Sequence, residues 1–175
     1  MAGKDLILDP SQYDLNRVIA DIHEIRRYNP QRFEMEQLTA VVHEDLERKI
    51  GVGYKDQTPN EFWVKGHMPQ FALLPGILMC ESAAQLCSYL CRKHDLLGSE
   101  IMGFGGLDQI KFRDPVLVGD RLVLVVALEK LRKGAMVVCR FQGFVRESLV
   151  VEGRIKGVPL PIERFTTAAG QPAGK

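Results

Sequence analysis

From Pro75 to His94 the chain reads PGILMCESAAQLCSYLCRKH, apolar on nearly every side of the helix it predicts. Such a helix must be covered almost all round, so a one-layer arrangement is excluded and a sheet wrapped about it is the simplest cover. One carboxylate stands inside it. Between Lys65 and Arg92 only Glu81 is acidic, set among Ile77, Leu78, Met79, Cys80, Ala83, Ala84 and Leu86. A carboxylate there is costly to ionise unless something pairs with it. His67, on the loop leading into the helix, is the other nearby side chain that works near neutrality. A His and a Glu meeting in an apolar site are the makings of general acid–base catalysis.

Pro75 fits the first helical position. Leu74 before it has no side-chain oxygen with which to cap. The first-turn amides, that of Gly76 among them, therefore lack a local partner and could meet a ligand oxygen. The helix runs to about His94, with Gly98 as a stop.

The flanking segments supply the cover. Leu15, Val18, Ile19, Ile22 and Ile25 predict a helix over Asp14 to Arg27, ended by Tyr28-Asn29-Pro30. Phe33, Met35, Leu38 and Val41-Val42 suggest a first strand, and Ile50, Val52 and Tyr54 a second. After the central helix the period becomes two. Met102 to Phe112, Arg121 to Leu131, Ala135 to Arg146 and Leu149 to Val158 read as strands separated by short turns. The expectation is an α+β protein with a hotdog fold, an antiparallel sheet of five or six strands wrapped around one long central apolar helix. The edge strand and the uncovered side of the helix invite pairing with a second copy.

At 175 residues the chain is most simply one domain. That domain is expected over 1–160 with an N-terminal helical extension, and 161–175 as a disordered tail. A net charge of +1 argues against nucleic-acid or membrane binding, which needs a basic footprint. The longest apolar run is broken by Pro75, Glu81 and Gln85, short of membrane-spanning length. The N-terminus, MAGKDLILDPSQYD, has no signal-peptide apolar region, so a cytoplasmic protein is expected. Cys80, Cys87 and Cys91 share a helical face, but no His or carboxylate completes a zinc pattern. They are expected to be buried hydrophobes, and no metal is called for. His23, His43 and His94 lie among charged residues and are expected to be solvated.

These motifs resemble a family, the (3R)-hydroxyacyl-acyl-carrier-protein dehydratases of type II fatty-acid synthesis. Gly66-His67-Met68-Pro69, Leu74-Pro75-Gly76-Ile77-Leu78 and Glu81-Ser82-Ala83-Ala84-Gln85 are similar to the family's GHFPGxPxxPGxLxxEAxAQ. Gly106-Leu107-Asp108, Lys111 to Val116 and Gly119-Asp120 resemble its second signature, and Asn60-Glu61 also fits. The likeness spans roughly residues 22 to 160. Glu at position 81, where the isomerising subtype has Asp, resembles the dehydratase-only subtype. Met68, Gln70 and Ala72 depart from the family's Phe, Gly and Pro.

The resemblance implies that His67 takes the proton beside the thioester carbonyl and Glu81 protonates the departing hydroxyl. It implies that the Gly76 amide holds the thioester oxygen and Gln85, four residues after Glu81, orients the carboxylate. No cofactor is implied. In the family the His and Glu come from different subunits, so a dimer, or a trimer of dimers, would build the site. The partner would be acyl carrier protein, with Lys111, Arg113, Arg132 and Lys133 as candidates for docking its acidic surface. Other readings stay open. Taken alone, His67 is an ordinary hydrogen-bonded loop histidine and Glu81 a structural partner for an arginine such as Arg113. A hotdog thioesterase, or an acyl-binding subunit without activity, would keep the same fold.

Overall fold

The structure, a computed structural model, describes residues 5–98 and 101–161. Most of the expected tail, residues 162–175, lies outside the described residues. Two helices, α1 (Ile22–Tyr28) and α2 (Gly76–Lys93), join six strands: β1 (Ala40–Asp45), β2 (Ile50–Asp56), β3 (Met102–Phe112), β4 (Arg121–Arg132), β5 (Met136–Val145) and β6 (Ser148–Pro159). All neighbours are antiparallel, in the order β1-β2-β4-β5-β6-β3. α2 packs against one face of that sheet. This is the α+β hotdog architecture.

α2 is buried from Leu78 to Cys91 with Glu81 the one interruption. Its Leu86, Cys87 and Leu90 pack with Leu122, Leu124, Val126, Phe141 and Ile155 from the sheet. The helix comes close to β2 because Gly51 and Gly53 face it. A Cβ on Gly51 would stand 2.6 Å from Leu90 Cδ1, and one on Gly53 3.2 Å from Leu86 Cδ1.

The other sheet face is covered as well. Val123 and Val125 of β4 join Val42, Val52 and Phe144 in a second cluster, closed by Leu6, Ile7 and Leu8 from the N-terminal segment. Gln142, 2% exposed, fastens that segment by accepting from the Ile7 amide at 2.9 Å and donating to the Asp5 carbonyl at 3.0 Å. A strand covered on both faces needs no polar alternate positions. The unbroken apolar run of β4 follows from this.

Two expected elements are shorter than the sequence suggested. The first helix begins at Ile22, not Asp14, because the Asp21 carboxylate caps it by accepting from the Glu24 amide at 2.9 Å. Ile19 and Ala20 are instead drawn into bonds with Val41 of β1. Phe33–Met35 is a 3-10 turn, and the first strand starts at Ala40. At α2, Pro75 is the N-cap residue and Gly76 the first helical one, a shift of one position.

Candidate active site

Glu81 owes its orientation to a short polar relay behind α2. Gln85 Nε2 donates to Glu81 Oε1 and to the Met35 carbonyl, each at 2.7 Å, while its Oε1 accepts from the Gln37 amide at 2.9 Å. The Gln37 N–H fixes which end of the amide is oxygen, so the Gln85 nitrogen must face Glu81. Asn29 Nδ2 adds a bond to the Gln85 carbonyl at 2.9 Å. Every polar atom of the Gln85 side chain is thereby satisfied although the residue is 2% exposed. Arg113 is not the partner of Glu81: its guanidinium bonds Glu152. Among the described residues no cation forms an ion pair with Glu81.

His67 sits on the loop between β2 and α2. Its backbone is held by bonds to the Trp63 carbonyl at 2.8 Å and from the Leu73 amide at 3.0 Å. The loop is anchored to β2 by a largely buried Lys55–Glu61 ion pair of 2.8 Å. His67 Nδ1 lies 2.9 Å from the Leu73 carbonyl oxygen. A carbonyl can only accept, so Nδ1 carries hydrogen and, in the neutral ring, Nε2 carries the basic lone pair. The substituted segment makes a closed turn, with reciprocal bonds between Met68 and Phe71 of 3.2 and 3.0 Å. Gln70 takes no left-handed backbone torsion, so glycine is not required there.

The Gly76 amide opens α2, and Pro75 gives it no side-chain cap. No backbone acceptor meets that amide among the described residues. The Phe112 ring lies over it; a Cβ on Gly76 would be 2.9 Å from Phe112 Cε1. The opening thus has a glycine beneath an exposed aromatic lid.

His67 and Glu81 share no hydrogen bond and no cavity wall among the described residues. Glu81 and Gln85 touch. Glu81 also lines a cavity of about 40 Å³ with Gln31, Ser88, Met102 and Ile155, and His67 is not part of its wall. A larger concavity of about 540 Å³, walled by Asp108, Glu129, Lys130 and Arg154, contains neither residue and follows the β3 side of the sheet. β3 ends the sheet with an edge that is unpaired among the described residues and exposes Phe104, Leu107 and Phe112.

Of the residues considered for carrier docking, Arg113 bonds Glu152 and Lys133 bonds Asp95 at 2.6 Å. His94 departs from the solvated state expected of it: Nε2 is 2.8 Å from Glu44. All four cysteines are buried. Burial pushes the Cys80 thiol up to about 11, and Cys87 lies within hydrogen-bond reach of Cys139 and Cys91. No group of three or more potential metal ligands is assembled among the described residues. No helix there is long and apolar enough to cross a membrane.

The sequence reading missed the segment Asn29–Gln37, which carries the relay to Gln85 and one wall of the Glu81 cavity. Its signal was a cluster of amide side chains, Asn29, Gln31 and Gln37, between a helix stop and a strand.

Comparison with known proteins agrees with this architecture. A 3-hydroxyacyl-[acyl-carrier-protein] dehydratase FabZ of Clostridium botulinum is 37% identical over 112 residues, 64% of this chain and 77% of the relative. The enzyme of the same name from Alkalilimnicola ehrlichii is 33% identical over 141 residues, 79% of this chain and 90% of its own. A solved structure described as the dehydratase heterocomplex ApeI:P from Xenorhabdus doucetiae superimposes with a TM-score of 0.66 at 15% identity, covering 84% of this chain and 97% of that one. That last likeness concerns the fold. The model of the FabA-like domain matches residues 29–154, from the Asn29 that braces Gln85 to the last strand, and the chain belongs to this family.

Proposed function

We propose that this chain dehydrates (3R)-hydroxyacyl thioesters carried on acyl carrier protein to trans-2-enoyl thioesters, in fatty-acid or related acyl biosynthesis. The observation that carries the reading is a complementary pair. His67 is held in the tautomer that leaves Nε2 basic, and Glu81 is aimed by Gln85 with no cation paired to it among the described residues. The relatives' shared name supports the same reaction.

In this reading His67 Nε2 removes the proton at C2, and the freed electron pair forms the C2–C3 double bond as the C3–oxygen bond breaks. Glu81, entering protonated, gives its proton to the departing hydroxyl, which leaves as water. The charge that builds on the thioester oxygen is met by the Gly76 amide at the positive end of α2. Return of the proton from imidazolium to carboxylate through solvent resets the site.

We infer further that each site combines His67 of one chain with Glu81 of a second copy. The absence of His67 from the wall of the Glu81 cavity and a β3 edge left unpaired among the described residues support it. Residues 1–160 act as the working unit, and the reaction is placed in the cytoplasm, as the sequence led us to expect. The direct test supplies a 3-hydroxyacyl thioester and follows enoyl absorbance and free thiol together. Enoyl product without thiol release supports dehydration; thiol release without enoyl product overturns it in favour of a thioesterase.

A further inference from the structure

We propose that Gln31 is a positioning residue that holds the departing hydroxyl, and then the water it becomes, against Glu81. This rests on the dehydratase reading and adds a residue to it. The cavity shared by Glu81 and Gln31 is about 40 Å³, room for a water molecule and little more. Its polar walls are Glu81, Gln31 and Ser88; the rest is apolar side chain and glycine.

The Gln31 amide is conspicuous beside that of Gln85. Gln85 has every hydrogen bond it can use, whereas Gln31 Oε1 is buried with no donor among the described residues. Oε1 itself is shielded from water, and a buried acceptor left empty costs about 1–3 kcal/mol, so a turn of the amide that brings it to a proton donor in the cavity is favoured. The backbone carrying Gln31 is firmly placed. Arg32 donates to the carbonyls of Asn29 at 2.7 Å, Gln31 at 2.6 Å and Arg26 at 3.0 Å, and Asn29 is itself tied to α2.

The chemistry of the step suits two acceptors. When the C3–oxygen bond breaks, the oxygen keeps the bonding pair and takes the proton of Glu81. The resulting water has two hydrogens to donate. Glu81, now a carboxylate, accepts one and Gln31 Oε1 the other. Before elimination the same Oε1 accepts from the substrate hydroxyl, turning its oxygen lone pairs toward the Glu81 proton.

The test compares leaving groups in the full-length protein. Gln31→Met keeps the length of the side chain and loses the amide. It is assayed beside wild type on a 3-hydroxyacyl thioester and on the matching 3-chloroacyl thioester, whose chloride leaves with its electron pair and needs no proton. Expected for the hydroxy substrate is a fall in kcat of about tenfold with KM within about twofold, the size of one lost hydrogen bond. On the chloro substrate the variant should match wild type within about twofold. Equal loss on both substrates, or no loss on the hydroxy substrate, overturns the proposal. If Gln31→Met does not fold, Gln31→Leu reads the same ratio. Wild type inert on the hydroxy substrate would instead remove the dehydratase reading, and this inference with it.

Discussion

Gln85 donates to Glu81 across one helical turn of α2, at 2.7 Å, and the same nitrogen reaches the Met35 carbonyl 50 residues back in the chain. The catalytic carboxylate of the proposed reaction is therefore aimed by a link outside its own helix. Replacing Gln85 by Met strands the buried Gln37 amide and takes the donor from the Met35 carbonyl. The variant should lose about 2–4 kcal/mol of stability, read by denaturant unfolding. It should also lose about tenfold in kcat with KM little changed, because Glu81 loses its bearing.

The β3 edge, unpaired among the described residues, and the absence of His67 from the wall of the Glu81 cavity lead to a mixing experiment. His67→Ala and Glu81→Gln chains, each inactive alone, are co-expressed and purified together. Sites built from two copies give mixed dimers with one intact site, so activity should recover to about a quarter of wild type. Sites contained within one chain give no recovery.

Gly76 lies under Phe112, and its added Cβ would stand 2.9 Å from the ring. Gly76→Ala must push either the ring or the start of α2, and with it the amide offered to the thioester oxygen. A loss on the order of tenfold in kcat/KM is expected. Gly76→Ala with Phe112→Ala removes the obstruction and should regain most of the rate, measured as a double-mutant cycle.

Far from the proposed chemistry, Glu44 accepts from Lys93 and His94, each at 2.8 Å. Burial pushes its carboxyl up, but hydrogen bonds from Lys93, His94 and Tyr89 outweigh that and hold it below the usual carboxylate value of 4.5. A carboxyl lowered by folding stabilises the fold above its unfolded pKa and loses that contribution as pH falls through the folded one. Glu44→Gln should therefore melt below wild type at pH 7, and the gap should close as pH falls below 4.5.

Much of this architecture is written in local pattern. β3 keeps the bounds Met102–Phe112 expected of it, and the hairpins from β4 to β6 follow their turn residues closely. Glu81 was visible because an acid inside an apolar helix is conspicuous. What escaped has no local signature. The Asp14–Gln37 region was misjudged because pairing of Ile19 and Ala20 with β1 outweighed their helical spacing. Leu8 was unassigned because its partners lie on the outer sheet face, far away in sequence. Gln31 and Asn29 are amides without periodicity, and only the fold sets them behind Glu81. His94, expected in solvent, is bound to Glu44 from a strand 50 residues away.

The most direct measurement follows enoyl absorbance from a 3-hydroxyacyl thioester with wild type, His67→Ala and Glu81→Gln side by side. Turnover by wild type with a loss of about a hundredfold or more in each variant, the scale of general acid–base catalysis, is the predicted result. Wild type inert on several chain lengths in both carrier-bound and coenzyme forms, or variants as active as wild type, would contradict it.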